Sequence, residues 1–177
     1  MVTRWIFTAF LILLGLQRLY ELRISRSHEA IIRSRGGREY AVWQLQAMKA
    51  LHAGWFIAMP LEVWGLHRPF LPGLSLVALA TFAVGQGLRY AAILSLKWRW
   101  TVRVMTIPGL PPVRQGIYRY LRHPNYLGVA LEIFAVPLLH SGYVTAMVFS
   151  LANMLLLTAR IRTEDQVLLD AVSSPPR

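Results

Sequence analysis

The chain has 177 residues, of which 55% are hydrophobic and only 15% charged, with a mean hydropathy of +0.44. That is one domain's length of sequence, and it is too apolar for an ordinary soluble domain of this size. The net charge of +11 does not point to nucleic acid, because the basic residues fall between apolar runs and not along one soluble face. With no cysteine, disulfides, thiolate nucleophiles and Cys-ligated zinc are excluded.

Taken in chain order, the first apolar segment is Trp5 to Leu22. It lacks a small-x-small cleavage site and continues into Gln17-Arg18-Leu19-Tyr20-Glu21-Leu22, so it reads as a retained helix and not as a signal peptide. Arg23 to Gly37 mixes Ile24, Ile31 and Ile32 with basic residues and ends at Gly36-Gly37, the pattern of a glycine-capped interfacial helix. Further spans are expected at about Lys49–Trp64, Phe70–Ser95, Tyr126–Leu139 and Tyr143–Ala159. Pro69 to Leu88 runs twenty residues without a charge, long enough to span a bilayer core. The second and fourth spans are short and interrupted by Glu62, Glu132 and Pro137, which suits tilting or partial insertion. Ile107-Pro-Gly-Leu-Pro-Pro-Val113 cannot be regular helix and is expected as an ordered or mobile turn. No strand alternation and no solenoid repeat is evident. The fold class is therefore all-α: a polytopic membrane protein with about five transmembrane helices. It divides into N-terminal helices and interfacial loop (1–100), a motif region with a helix hairpin (101–170) and a disordered tail (171–177).

The connections divide by charge. Gly65–Pro69 and His140–Gly142 are tight turns with little positive charge. One long loop holds Arg23, Arg26, Arg33, Arg35, Arg38 and Lys49, another holds Lys97, Arg99, Arg103, Arg114, Arg119 and Arg122, and the tail holds Arg160, Arg162 and Arg177. The positive-inside rule places these loops and the C-terminus in the cytoplasm and the N-terminus outside, mildly opposed by Arg4.

Chemistry concentrates in Gly116 to Gly128, where Tyr118, Arg122, His123, Pro124, Asn125 and Tyr126 crowd against the start of an apolar helix. Pro124 breaks any helix entering the patch and fits the first turn of the one leaving it. The patch thus reads as a helix N-terminus, whose free N–H groups and positive dipole end favour anionic ligand groups. Three ionisable residues stand out inside apolar spans: Glu62, Arg89 and Glu132. Arg89 lies near the expected cytoplasmic end and reads as a snorkelling side chain. Glu132 shares a helix side with Pro124 and Asn125, so it either lines the site or makes a helix–helix hydrogen bond. Glu62 and His52, on a separate helix, are candidates for a lipid-side pocket. Arg160-Ile-Arg-Thr-Glu164-Asp165 follows the last span; the plain reading is a juxtamembrane anchor with an intrahelical Arg160–Glu164 pair. If the fourth and fifth helices form a hairpin, this motif instead faces His123 across one mouth.

Several chemistries lack their motifs. No P-loop, His-Glu-x-x-His or Gly-x-Ser-x-Gly occurs, and Gly85-Gln-Gly87 sits mid-span, where it reads as helix packing. No metal-ligand set is expected.

The pattern Gly116-x-Tyr118-x-x-x-Arg122-His123-Pro124-x-Tyr126-x-Gly128, a hairpin, then Arg160-Ile161-x-x-Glu164-Asp165, resembles the isoprenylcysteine carboxyl methyltransferase family over roughly Arg103 to Leu169. Arg18-Leu-Tyr-Glu-Leu22, Arg35-Gly-Gly-x-Glu39 and Leu51-His52 are similar to a bacterial branch whose members resemble alkylpyrone or alkylresorcinol O-methyltransferases. The resemblance implies S-adenosylmethionine, released as S-adenosylhomocysteine, bound without a Rossmann fold by Val113, Tyr118, Arg122, His123, Pro124, Asn125, Tyr126 and Glu164. It implies catalytic roles for Arg160 and Glu164, with Arg160 on the substrate side. Arg160, Glu132, Glu62 and His52 are the acceptor-side candidates. The chain departs from eukaryotic members at Leu110 (histidine there), Arg103 (glutamine) and Asp165 (glutamate), which argues against a prenylated protein as acceptor. The expectation is a lipophilic small-molecule acceptor drawn from the bilayer of a bacterial cell membrane, with membrane lipids around the protein and no nucleic acid.

Methyl transfer from a sulfonium is an in-line displacement, so such a site must mainly align its reactants and exclude water. Three other readings compete. A phospholipid N-methyltransferase would have less use for Arg160, an NADPH-dependent lipid or sterol reductase would carry an extra nucleotide loop, and a non-enzymatic scaffold would bind lipid alone.

Overall fold

The computed structural model describes residues 1–173; of the expected tail, 171–177, the first three residues continue the last helix and 174–177 lie outside the described residues. Five α-helices carry the architecture: α1 (Val2–Ser34), α2 (Val42–Gly65), α3 (Pro72–Leu96), α4 (Pro124–Leu138) and α5 (Tyr143–Ser173). Three of them, α1, α3 and α5, are long and apolar enough to cross a membrane, while α4 is a shorter apolar helix.

Stripes of apolar residues at helical spacing set the packing. Phe7, Leu11 and Leu14 of α1 meet Trp55, Met59 and Val63 of α2 and Val129, Ile133 and Val136 of α4 in one buried cluster. Trp55 fixes the register by donating its indole N–H to the Ile133 carbonyl at 3.1 Å. Leu13, Leu16, Val77, Val84, Leu151 and Leu155 remain exposed on the outer faces, as lipid-facing positions should. The closest helix crossing is α3 on α4. A Cβ on Gly128 would stand 2.7 Å from the Gly85 carbonyl oxygen, and one on Gly85 would stand 3.0 Å from that of Gly128. Gly85 thus packs as its motif suggested, whereas Gly87 faces open space.

The structure corrects several sequence expectations. The first span and the interfacial helix are one continuous helix, because no glycine or proline interrupts residues 16 to 35. That helix ends where expected, at Gly36, which takes a φ of 77°, and Gly37 donates to the Ile32 carbonyl at 2.9 Å. Helix α2 starts at Val42, seven residues before the expected span. Two short strands exist after all: β1 (Arg38–Tyr40) pairs antiparallel with β2 (Val104–Thr106), Glu39 opposite Met105. At three residues each, they are too short to show a period-2 pattern.

The helix ends sort into two groups. Met1, the 65–71 turn and the 139–142 turn lie together, since His140 Nε2 reaches Thr3 Oγ1 at 3.2 Å and Trp5 packs edge-on against Trp64. The long basic connections, the β1–β2 clamp and the C-terminal half of α5 gather at the other end, where Gly109 donates to the Ala171 carbonyl at 2.9 Å. That end carries the site.

Candidate functional site

Two turns deliver the polar residues. Gly116 adopts a φ of 59°, and a Cβ there would lie 2.2 Å from Ser95 Oγ, so only glycine fits. The turn it opens, Gly116–Arg119, brings Tyr118 to the interior. Four residues on, His123 adopts a non-helical conformation and Pro124 starts α4, whose N-terminus no side chain caps. The 139–142 turn then folds α5 back along α4.

That hairpin sets the two motifs against each other. His123 Nε2 lies 3.0 Å from Asp165 Oδ1, and its ring stacks on Tyr126 at a centroid distance of 5.6 Å. The Tyr126 hydroxyl donates to Glu164 and accepts from Arg160 Nε at 2.9 Å. The Arg160 guanidinium also lies over the Tyr126 ring, 5.6 Å from its centroid. A direct Arg160–Glu164 pair was the sequence expectation; in the fold Tyr126 stands between the two charges and bonds to both. Arg160 is buried and Glu164 half-buried. Burial, followed by the negative charge of Glu164, pushes the Tyr118 phenol well above its ordinary value of 10, so it stays neutral and polar.

These groups line one cavity of about 1840 Å³. Its outer wall carries Val113, Tyr118, Arg122, His123, Asn125, Tyr126, Arg160, Glu164 and Asp165, and its inner wall runs along α1 and α2 past Leu22, Met48, His52 and Phe56. Pro124 is buried behind the wall. Among the described residues that line the cavity, Asn125 Oδ1, Trp100 Nε1 and Thr106 Oγ1 are buried with neither a hydrogen-bond nor an ion-pair partner. Unsatisfied polar atoms at a cavity wall are those a ligand can satisfy.

Three expectations are corrected by position. Glu62 lies at the far end of the bundle, where it accepts the Val144 and Thr145 amides at 3.1 and 2.7 Å and pairs with Arg68 at 2.7 Å. It caps α5, whose first amides have no intrahelical partner. Arg89 does not snorkel: it is buried and bonded to Glu21, with Glu132 Oε1 3.5 Å from its Nε. Glu132 does not line the cavity; it binds Arg18 and faces Arg89, one layer behind the wall. Arg18 closes the group through Glu21 at 2.7 Å. Two arginines and two glutamates thus form a closed, neutral quartet joining α1, α3 and α4.

Sequence reasoning passed over Arg18 and Glu21, although both fall inside the expected first span and sit three apart on one helix face. It also missed Trp98 and Trp100, which line the cavity. The run Lys97-Trp-Arg-Trp100 straight after a span was the available signal.

Residues 77–170 match the isoprenylcysteine carboxyl methyltransferase (ICMT) family. The chain is 33% identical to the uncharacterized protein YpbQ of Bacillus subtilis (strain 168) over 167 residues, covering 93% of this chain and 95% of that one. It is 27% identical to an uncharacterized protein of Haemophilus influenzae (strain ATCC 51907 / DSM 11121 / KW20 / Rd) over 152 residues, covering 85% and 88%. No solved structure matches it.

Proposed function

The chain belongs to the isoprenylcysteine carboxyl methyltransferase family, and from that premise we propose an S-adenosylmethionine-dependent enzyme that methylates an oxygen of a lipophilic acceptor. The observation that carries the reading is the Tyr126–Glu164–Arg160 cluster, which two distant motifs assemble on the wall of a cavity far larger than the cluster needs.

The residues fit the cofactor's parts. Glu164 and the unpartnered Asn125 Oδ1 accept hydrogen bonds, as an ammonium and ribose hydroxyls require. The uncapped α4 N-terminus and Arg122 suit a carboxylate. Tyr118 and Tyr126 offer aromatic faces to a cation. When bound, the cofactor supplies an electrophilic methyl group on a sulfonium. The chain's own task is positioning: Asp165 holds the His123 ring, and His123 stacks against Tyr126. Tyr126 spaces Arg160 from Glu164, which leaves Arg160 to orient the acceptor oxygen and stabilise its negative charge. By the positive-inside rule, the basic end opens to the cytoplasm of a bacterial cell membrane. The cofactor enters there, and the acceptor enters from the bilayer.

The test is transfer of label from methyl-labelled S-adenosylmethionine by purified protein in nanodiscs. The panel holds alkylpyrones, alkylresorcinols, prenylcysteine analogues and phosphatidylethanolamine. Labelled ether or ester is the expected product. Label in phosphatidylethanolamine alone would replace oxygen by nitrogen as the acceptor atom. NADPH binding without S-adenosylhomocysteine binding would move the chain to the reductases.

A further inference from the structure

The inner wall of the cavity carries a polar atom without a protein partner. On α2, Leu45, Met48, His52 and Phe56 stand at helical spacing and all line the cavity, so His52 interrupts an otherwise apolar stripe. Its Nδ1 lies 2.8 Å from the Met48 carbonyl oxygen. A carbonyl can only accept, so Nδ1 carries the proton, and the uncharged ring that an apolar wall favours presents Nε2 as a lone pair. Nε2 has no hydrogen-bond partner among the described residues and is not one of the enclosed polar atoms, so it opens into the cavity. The ring is held in that pose: it packs edge-on against Trp55 at 6.4 Å, and Trp55 is itself pinned to the Ile133 carbonyl.

Depth separates this lone pair from the reacting centre. Gln44 of the same helix donates to Thr163 Oγ1 at 2.9 Å and reaches the Ala159 carbonyl at 3.4 Å, so it is level with Arg160. His52 is eight residues further on, roughly 12 Å deeper at the rise of an α-helix. Between the two levels Leu22, Leu45 and Met48 make the wall apolar. Arg18, Glu21 and Arg89 reach the wall near the depth of His52, but their charges are matched within the quartet, whereas Nε2 is unmatched. A plain hydrocarbon chain lying there would leave the lone pair desolvated and unpaired, which is unfavourable. An occupant that brings a donor to this level is favoured over one that does not.

We propose that His52 selects the acceptor: its Nε2 accepts a hydrogen bond from a hydroxyl on the acceptor's chain, set roughly 12 Å behind the oxygen that is methylated. This rests on the methyltransferase reading above and names its substrate class, an amphiphile with two oxygen functions separated by an apolar stretch. Arg160 takes the first oxygen at the mouth, Leu22, Leu45 and Met48 flank the stretch, and His52 takes the second. Phe56 borders whatever chain continues beyond it. His52 touches no reacting atom and moves no proton. It fixes how far the acceptor slides into the cavity, and so which oxygen stands beside Arg160. A site built to accept from a hydroxyl discriminates against the analogue that lacks one, because its own polar atom is then left unpaired.

The test uses the full chain in nanodiscs with long-chain alkylresorcinols, one unsubstituted and the others carrying a single hydroxyl at successive chain carbons. One hydroxyl position should raise kcat/KM over the unsubstituted chain by about tenfold, the size of one buried hydrogen bond. His52→Leu should abolish that preference with S-adenosylhomocysteine affinity unchanged. His52→Gln, whose amide oxygen still accepts, should restore part of it. In protein labelled with nitrogen-15 at histidine, the same hydroxylated chain should move the Nε2 resonance that His52→Gln removes, and the unsubstituted chain should not; this readout needs no turnover. An Nε2 resonance that no chain hydroxyl moves, or a preference that survives His52→Leu, would overturn the proposal while S-adenosylhomocysteine binding leaves the methyltransferase reading intact. Folded wild-type protein that binds no S-adenosylhomocysteine would overturn both.

Discussion

Two groups of charged residues lie inside this helical bundle, and they differ in one respect. The quartet of Arg18, Glu21, Arg89 and Glu132 is closed: each charge meets its opposite and the group joins three helices, even though Arg18, Glu21 and Arg89 also reach the cavity wall. The mouth cluster of His123, Tyr126, Arg160, Glu164 and Asp165 is open: its members touch, yet all line a cavity where Asn125 Oδ1 remains unsatisfied. Charge buried away from water is costly in both places. A closed group meets that cost internally and serves the fold, whereas an open one is completed by what binds to it.

The largest effect should come from breaking the closed group. Glu132→Ala leaves Arg18 and Arg89 facing each other across one remaining carboxylate, and should cost about 3–5 kcal/mol of stability, read as the midpoint of unfolding in SDS. The double variant Glu132→Ala with Arg18→Met should recover part of that loss. Full stability in the single variant would remove the quartet from the structural account. Next comes Arg160→Ala in the open group, which should lower turnover about 100-fold, as loss of one oriented donor does, with stability little changed. A fall in stability matching the first variant would erase the distinction between the two groups.

Glu62→Ala removes the carboxylate cap of α5 and should cost about 1–2 kcal/mol, again by SDS unfolding, with activity preserved because the cap lies at the far end. The smallest effect concerns the β1–β2 clamp. Burial raises the Glu39 carboxyl, but hydrogen bonds from Arg103 and Arg33 outweigh it and hold it below its ordinary value of 4.5. A depressed carboxyl contributes stability above pH 4.5 and loses it as pH falls through the lower folded-state value. The stability difference between wild type and Glu39→Gln, below about 1 kcal/mol for a pair at the surface, should therefore be present at pH 7 and vanish in acid. A difference that persists below that range would refute the clamp's ionic character.

The helices were legible because lipid-facing spans are written in composition: Pro69 to Leu88 needs no structure to be recognised. The mouth was legible because Pro124 after His123 marks a helix start whatever the rest of the fold does. What escaped depended on partners far along the chain. Arg89 looked like a snorkelling end residue because Glu21, 68 positions earlier, gives no sign in its own helix of which neighbour it faces. Glu62 looked like a pocket residue because a cap supplied by another helix leaves no local motif, unlike a serine or aspartate at the N-cap itself. Tyr126 appeared in the motif, but its place between Arg160 and Glu164 follows only from the pitch of the hairpin.

The most direct test of the open cluster is calorimetric titration of S-adenosylhomocysteine into the purified protein in nanodiscs, wild type beside Glu164→Ala. The account predicts saturable one-site binding by the wild type and at least tenfold weaker binding by the variant, with both proteins equally folded. Wild-type protein that is folded and does not bind, or a variant that binds as tightly as wild type, would contradict it.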